Sequence, residues 1–433
     1  MQLYSTNHQS PQVSLREALF KGLPDDNGLY MPVDIPRLPQ TFFEEIHKLT
    51  FHEIAVEVTK ALIGDEVPEK DIRSIVESTL TFEVPIVNVS EGIYALELFH
   101  GPTLAFKDFG ARFMAALMSY YLRQSKEEVN ILVATSGDTG GAVAAGFLNM
   151  PGIRVTILFP KGKVSEIQEK QLTTLQGNIT ALELEGTFDD CQKLVKQAFL
   201  DKDLNEKVNL TSANSINISR LIPQSFYYFY AYSKLKEIGK DLLFSTPSGN
   251  FGNLCGGLIA KKMGLPVRKF IASTNINDIF PKYLFSGIFS PRPSQRTISN
   301  AMDVGNPSNF ARIMDLYGND LDAVKKDLEG VAFTDEETAA AIQTVYEKYN
   351  YILDPHAAVG YLGLIKYFNE KTKGVTGVFL GTAHPAKFLD VMDPYLAGKV
   401  QIPENLQNIL KKEKRAVSLN AEFNEFKNYL LNH

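Results

Sequence analysis

Two cysteines in 433 residues, Cys191 and Cys255, are too few for a disulfide framework, and neither lies in a Cys-x-x-Cys pair or at a Cys/His ligand spacing. Both read as small buried hydrophobes of a chain kept in a reducing cytoplasm. The seven histidines include no His-Glu-x-x-His pair, so a metal site would have to be assembled from residues far apart in sequence, and none is expected. No segment approaches the ~18 apolar residues that cross a bilayer. The opening residues lack both the basic and the apolar regions of a secretory leader, so secretion is not expected. Positive charge is not in excess either. The formal charge is −6 with the basic residues dispersed, which argues against a nucleic-acid or membrane-surface partner. The one short basic run, Lys411 to Arg415, has helical neighbours and reads as a solvated helix face. There is no internal repeat and no low-complexity segment.

What is present is an ordinary globular composition, 44% hydrophobic and 22% charged. The length allows about three domains, or two lobes sharing a cleft. Residues 1–82 read as a mainly helical segment, with Ser14 as a cap for Leu15 to Phe20 and helical spacing over Phe51 to Ile63 and Glu69 to Leu80. From Val84 short apolar runs alternate with helical patterns. The runs are Pro85 to Val89, Ile93 to Phe99, Val129 to Ala134, Arg154 to Phe159, Ile179 to Leu184, Leu242 to Ser245, Val267 to Ala272 and Val375 to Leu380. That alternation predicts an α/β fold of two lobes, with mostly parallel sheets covered by helices. Residues 83–128 and 211–433 form the larger lobe in this reading, and 129–210 a smaller inserted one.

Ligands in such sheets bind beyond the carboxyl ends of strands, so the loops there carry the chemistry. The first follows Ile93 to Phe99 and reads His100-Gly101-Pro102-Thr103-Leu104-Ala105-Phe106-Lys107-Asp108-Phe109. It places Lys107 where a strand gives way to a helix, flanked by Phe106 and Phe109. Partial desolvation there disfavours the ammonium and makes Lys107 a candidate Schiff-base nucleophile. Four later loops join it. Thr135-Ser136-Gly137-Asp138-Thr139-Gly140 opens a helix with free N–H groups and hydroxyls that suit an anion, or simply caps that helix. Gly249-Asn250-Phe251-Gly252-Asn253 is either a phosphate cradle or a tight turn; it is neither a Walker loop nor a GxGxxG turn. Asn214-Ser215 and Arg220 offer neutral donors and a guanidinium fork for a phosphate, or a helix cap with a surface ion pair. Thr382 ends a strand with a hydroxyl that can face a ring nitrogen or do nothing chemical. The aromatic run Phe226 to Tyr230 is better suited to core or subunit contact than to stacking. A desolvated lysine with three anion-suited loops fits a phosphorylated aldehyde cofactor and a substrate with two anionic groups.

These residues, in this order, resemble the threonine synthases, pyridoxal-phosphate enzymes of the tryptophan-synthase-β fold type. The resemblance spans nearly the whole chain, including Gly28 to Pro32, His100 to Phe113, Thr135 to Gly140, Asn214 to Arg220, Gly249 to Asn253, Met302 to Phe310, Asp354-Pro355-His356 and Gly381-Thr382-Ala383. Ser-Gly-Asp-Thr-Gly, with Asp138, replaces the Ser-Gly-Asn-Thr-Gly of several relatives. The resemblance implies pyridoxal 5'-phosphate bound at Lys107, with its phosphate held by Gly249, Asn250, Phe251, Gly252 and Asn253. Thr382 would face the pyridine nitrogen and Asp138 the ring hydroxyl. Thr135, Ser136 and Thr139 would take the substrate carboxylate, and Asn214, Ser215 and Arg220 its phosphate. The implied substrate is the small molecule O-phospho-L-homoserine, converted with water to L-threonine and phosphate. Another lyase or dehydratase of the same fold type acting on serine or threonine, and a non-catalytic phospholigand-binding protein, are the competing readings. Subunit number is left open by the sequence.

Overall fold

A strand that is apolar along its whole length must be covered on both faces. Val129–Ala134 and Val375–Gly381 are buried at every residue, and Asp241–Pro247 at every residue after the first. A computed structural model describes residues 1–123, 128–135, 137–238, 240–371 and 374–433, and in it these strands lie inside two mostly parallel sheets.

The chain begins with a small antiparallel sheet of β1 (Gln2–Ser5), β2 (Val13–Ser14) and β3 (Tyr30–Pro32), strands too short for the sequence to announce. Helices over Leu15–Lys21, Phe51–Ile63 and Glu69–Thr79 follow the expected spans. Ser14 caps the first in a reciprocal box with Glu17. The larger sheet contains β4 (Ile86–Ser90), β5 (Ile93–Glu97), β10 (Asp241–Pro247), β11 (Lys269–Thr274), β12 (Leu328–Ala332) and β13 (Val375–Gly381). Their order is β12-β11-β10-β13-β5-β4, parallel except for the β4–β5 hairpin. The smaller sheet contains β6 (Val129–Ala134), β7 (Ile153–Pro160), β8 (Ile179–Glu185), β9 (Leu210–Ser212) and β14 (Val417–Asn420). Its order is β14-β8-β7-β6-β9, parallel throughout.

This order decides where chemistry can occur. β5, β13 and β10 are consecutive parallel neighbours, so the loops that follow them, toward Lys107, Thr382 and Gly249, leave one carboxyl edge side by side. In the smaller sheet β6 and β9 are also neighbours, and the loops after them carry Thr135 and Asn214. The helix Lys107–Leu122 is embedded in the largest core cluster, burying Phe109, Phe113, Met114, Leu117 and Met118. It lies against the helix Asp138–Phe147, where a Cβ on Gly146 would come within 3.1 Å of the Ala111 backbone.

Two parts of the tail differ from expectation. Lys411 to Arg415 is not a helix face; it is the link between the helix Glu404–Leu410 and β14, and Lys414 is held there by Glu169 at 2.9 Å and Glu183 at 2.6 Å. Residues 417–433, assigned above to the larger lobe, join the smaller one. β14 extends its sheet beside β8, and Phe426 and Leu430 of the last helix pack with Leu182, Leu194 and Ala198. β14 has one buried residue in four, so neither alternation nor a continuous apolar run marks it. The run Phe226 to Phe229 is fully buried, which makes it core. Cys191 and Cys255 are buried free thiols, each pushed up to about 12 by burial. Among the described residues no helix is long and apolar enough to cross a membrane, and no group of three or more His, Cys, Asp or Glu side chains is placed to hold a metal ion.

If the tail is integral to the smaller lobe, Phe426→Ala costs about 3 kcal/mol of stability through the lost aromatic burial. Chemical denaturation followed by circular dichroism checks this, and an unchanged midpoint would show the tail to be peripheral.

Candidate active site

Lys107 is the first residue of its helix, reached by a loop pinned along the exit of β13. Leu98 N donates to Gly381 O at 2.8 Å, Phe106 N to Thr382 O at 2.9 Å, and His384 N to Leu104 O at 3.0 Å. Ala105 and Ala383 form an isolated antiparallel bridge, so Thr382 is fixed beside the residue preceding Lys107. Leu104 takes a left-handed conformation with φ 56°, unfavourable for a branched side chain and held by this pairing. Asp108 closes the turn from within. Its fully buried carboxylate accepts from Thr103 N at 2.9 Å and Thr103 Oγ1 at 2.6 Å, and burial pushes it up to about 6. Gly101 is required here, because a Cβ would sit 2.4 Å from that carboxylate.

The Lys107 side chain is 17% exposed, with the Phe106 ring 5.1 Å from its Nζ. Phe109 does not flank the amine as the sequence suggests; its ring packs in the core against Phe51, Phe82 and Tyr227. Burial is the largest influence on the amine and pushes it below the usual lysine range. Asp138 opposes this, while Lys387 and Arg220 add to it. Asp138 Oδ2 lies 3.5 Å from Lys107 Nζ, and its Oδ1 is 2.8 Å from Lys387 Nζ and accepts from Gln168 Nε2 at 3.0 Å. Burial alone would raise the Asp138 carboxyl, but Lys387 and then Lys107 outweigh it and hold it far below the usual carboxylate range.

The turn that carries Asp138 depends on Gly137. Its φ of 141° suits glycine, and a Cβ would strike the Gln168 side chain at 2.4 Å. Thr135 Oγ1 accepts from Gly137 N at 3.0 Å and Gly140 N at 2.9 Å, so this hydroxyl organises the helix start. Thr139 is half-buried on the first turn. Ser136 lies outside the described residues.

The remaining two loops are joined directly. Asn250 Nδ2 donates to Ser215 Oγ at 2.8 Å, and Asn250 Oδ1 accepts from Ser308 N at 2.6 Å and Ser308 Oγ at 2.8 Å. Asn309 Nδ2 donates to Asn250 O at 2.9 Å. Asn253 closes the same turn, donating to Pro247 O at 3.0 Å and accepting from Ser248 Oγ. Phe251 is left-handed at φ 58° and caps the helix Gly252–Lys262. At Gly249 a Cβ would meet the Met302 backbone at 2.7 Å; the neighbouring Ala301 N donates to His356 Nε2 at 3.2 Å, and His356 pairs with Asp354 at 2.7 Å.

Arg220 is buried at 2% exposure, so the surface-ion-pair alternative does not hold. It donates to Ala213 O, its Nε has no partner, and it lies over Gly110, one turn along from Lys107, where a Cβ would be 2.9 Å from that Nε. Asn214 Oδ1 is likewise buried without a partner. Such atoms are uncommon in folded proteins and call for a partner, an ordered water or a ligand.

Sequence reasoning missed Lys387, Gln168 and Arg312. Lys387 stands five residues past Thr382 on a short 3-10 turn, and no motif distinguishes it from a surface lysine. Arg312 is fully buried and donates to Tyr30 O, Ser215 O, Ile216 O and Asn309 Oδ1, all neutral oxygens, so among the described residues no carboxylate pairs with its charge beside the Ser215–Asn250–Asn309 knot. Two partnerless buried polar atoms, a glycine cradle before a helix N-terminus, a desolvated lysine and a buried positive charge fit a phosphorylated aldehyde cofactor.

Comparison with known proteins agrees with this chemistry. Family models match residues 2–80 as threonine synthase N terminus, 78–380 as pyridoxal-phosphate dependent enzyme and 357–430 as threonine synthase, C-terminal. Threonine synthase of Escherichia coli (strain K12) is 43% identical and covers 100% of both chains. That of Saccharomyces cerevisiae (strain ATCC 204508 / S288c) is 36% identical over 95% of this chain and 93% of its own. The crystal structure of the Escherichia coli enzyme matches with a TM-score of 0.93 over 100% of both chains. Pyridoxal-phosphate-bound threonine synthase from Brucella melitensis matches with a TM-score of 0.93 at 35% identity, over 100% of this chain and 99% of its own. Maize serine racemase, at 15% identity and a TM-score of 0.56, shares the fold alone. The chain belongs to the threonine synthase family of pyridoxal-phosphate enzymes.

Proposed function

We propose that this protein converts O-phospho-L-homoserine and water to L-threonine and inorganic phosphate, with Lys107 as the Schiff-base lysine. The observation that carries the reading is the desolvated Lys107 amine with the buried, under-bonded Arg220 stacked over the same helix one turn away. When bound, pyridoxal phosphate supplies an electron sink that makes the substrate's Cα proton removable. The chain supplies the rest.

The Gly249–Asn253 loop and the N-terminus of the helix Gly252–Lys262 hold the cofactor phosphate, where backbone N–H groups and the helix dipole favour negative charge. Thr382, fixed beside Phe106, would meet the ring nitrogen, and Asp138 would meet the ring hydroxyl. Thr135, Ser136 and Thr139 take the substrate carboxylate at the start of the helix Asp138–Phe147, with Thr135 acting by shaping the turn. Asn214, Ser215 and Arg220 take the substrate phosphate, Arg220 through the Nε that has no internal partner. Lys107 Nζ accepts the Cα proton and returns protons as phosphate leaves Cγ and water adds at Cβ, a general-base role worth about 10²–10⁴-fold. Arg220 stabilises the charge gathering on the departing phosphate.

On this assignment the larger lobe, residues 83–128 and 211 onward with the tail after residue 416 excepted, holds the cofactor's phosphate and ring nitrogen, and the smaller lobe, 129–210, supplies Asp138 and the carboxylate loop. A substrate restricted to serine or threonine would leave Arg220 buried without its anion, which weighs against the dehydratase reading. The two buried free thiols support a cytoplasmic location.

Full-length protein supplied with pyridoxal phosphate and O-phospho-L-homoserine is expected to release threonine and phosphate in equal amounts, and release of phosphate without threonine would overturn the reading. Borohydride reduction is expected to leave a pyridoxyl adduct on Lys107, found by peptide mass analysis. Lys107→Ala folds, but loses the adduct and turnover. Arg220→Ala lowers kcat/KM for the phosphorylated substrate by about 10–100-fold, the range of a lost charge-assisted hydrogen bond. Full retention of kcat/KM would favour a substrate without phosphate.

A further inference from the structure

The Asp138 carboxylate, 4% exposed, faces two lysines that reach it from different elements, Lys107 from the helix start and Lys387 from the 3-10 turn Pro385–Phe388. Two buried ammoniums on one carboxylate leave a net positive charge in a low-dielectric place, and Arg220 adds another cation nearby. The least costly relief is for one lysine to be neutral, and the geometry distinguishes the two. Lys387 has no side-chain exposure, sits 2.8 Å from Asp138 Oδ1, and also donates to Thr103 O at 2.8 Å. Two acceptors are thus aimed at the one Nζ. Lys107 is farther, at 3.5 Å, and keeps 17% exposure; among the described residues the Phe106 ring is its other cation-binding contact. The remaining carboxylate nearby, Asp108, is turned away onto Thr103 N and Oγ1.

We infer that Lys387 is the resident counter-ion of Asp138, a positioning residue that keeps this carboxylate paired whatever the protonation state of Lys107 and so leaves Lys107 as the amine that gives up its proton. Resting on the reading of Lys107 as the Schiff-base lysine, this explains how a lysine beside a buried carboxylate serves as nucleophile and proton carrier. Without Lys387, Asp138 would have Lys107 as its sole cation and would hold it as an ammonium. Gln168 Nε2, which donates to Asp138 Oδ1 at 3.0 Å, orients the carboxylate without charge.

The test is competitive acetylation of the full-length chain without added cofactor, followed by peptide mass analysis, which gives the pH midpoint of Lys107 reactivity. In Lys387→Met the midpoint is expected to rise by at least one pH unit, and in Lys387→Arg to stay within half a unit of the parent. A double variant, Asp138→Asn with Lys387→Met, removes both charges and is expected to bring the midpoint back to or below the parent value. An unshifted Lys387→Met midpoint overturns the inference. Should that variant not fold, the double variant decides alone, and a midpoint above the parent overturns the inference, because a role confined to tethering Thr103 would not be relieved by removing Asp138. The borohydride adduct on Lys107 in the parent protein is scored separately. Its absence would remove the Schiff-base reading while leaving the Lys387–Asp138–Lys107 coupling measured.

Discussion

The Asp138 carboxylate is the point at which the two lobes meet electrostatically. It stands at the first turn of a helix in the smaller lobe, beside Gln168 from the same lobe, while both its lysines come from the larger. A buried ion pair contributes little to stability unless its remaining donors and acceptors are satisfied. Here Lys387 and Asp138 are bonded onward, through a second layer. Thr103 O accepts from Lys387 and from Gln171, and Thr103 N and Oγ1 donate to Asp108. Four elements are thereby tied around one loop, and the residue adjoining Asp108 is Lys107. The position of the Lys107 amine follows from this network more than from its own contacts.

That dependence explains what the sequence reveals and what it hides. All eight runs read as strands are strands, because continuous apolar stretches between helices have no other stable use, and the helix Phe51–Ile63 matches its apolar spacing to the residue. The missed strands β1, β2, β3, β9, β12 and β14 are short or sparsely buried, so period and hydropathy carry no signal for them. Lys107 is legible because glycine, proline and phenylalanine surround it at a strand-to-helix change. Lys387 is not, because a single buried lysine among Pro385, Ala386 and Phe388 differs from a surface lysine only in where the chain folds. Arg220 is legible as a residue but not in its burial, and the sequence places Phe109 beside the amine although its ring belongs to the core.

The N-terminal segment, without chemical residues of its own, is joined to the site through Arg312. This guanidinium spans Tyr30 O in the first sheet, Ser215 O and Ile216 O in the loop after β9, and Asn309 Oδ1. Burial lowers it to about 10, which leaves it charged near neutral pH. A full positive charge surrounded by neutral oxygens is costly in isolation. Placed behind the two loops assigned to phosphates, it becomes a source of potential that favours dianions there without contacting them. On that assignment the first 80 residues bear on anion binding by fixing the Arg312 charge through Tyr30 O.

The same economy governs selectivity on the proposed assignment. A site whose buried polar groups lack internal partners binds a ligand that completes them and rejects one that does not, because the smaller ligand leaves those groups desolvated and unpaired. Arg220 Nε and Asn214 Oδ1 are such groups, and both lie in the loop given to the substrate phosphate. Rigidity reinforces the effect. Gly110 has no side chain to yield, Arg220 lies within 2.9 Å of where its Cβ would be, and Ala213 O holds the guanidinium from the other side. Arg220 therefore has little freedom to turn toward an alternative partner when the phosphate is absent. Discrimination against unphosphorylated amino acids then arises in the resting protein, from a donor fixed in place before any ligand arrives.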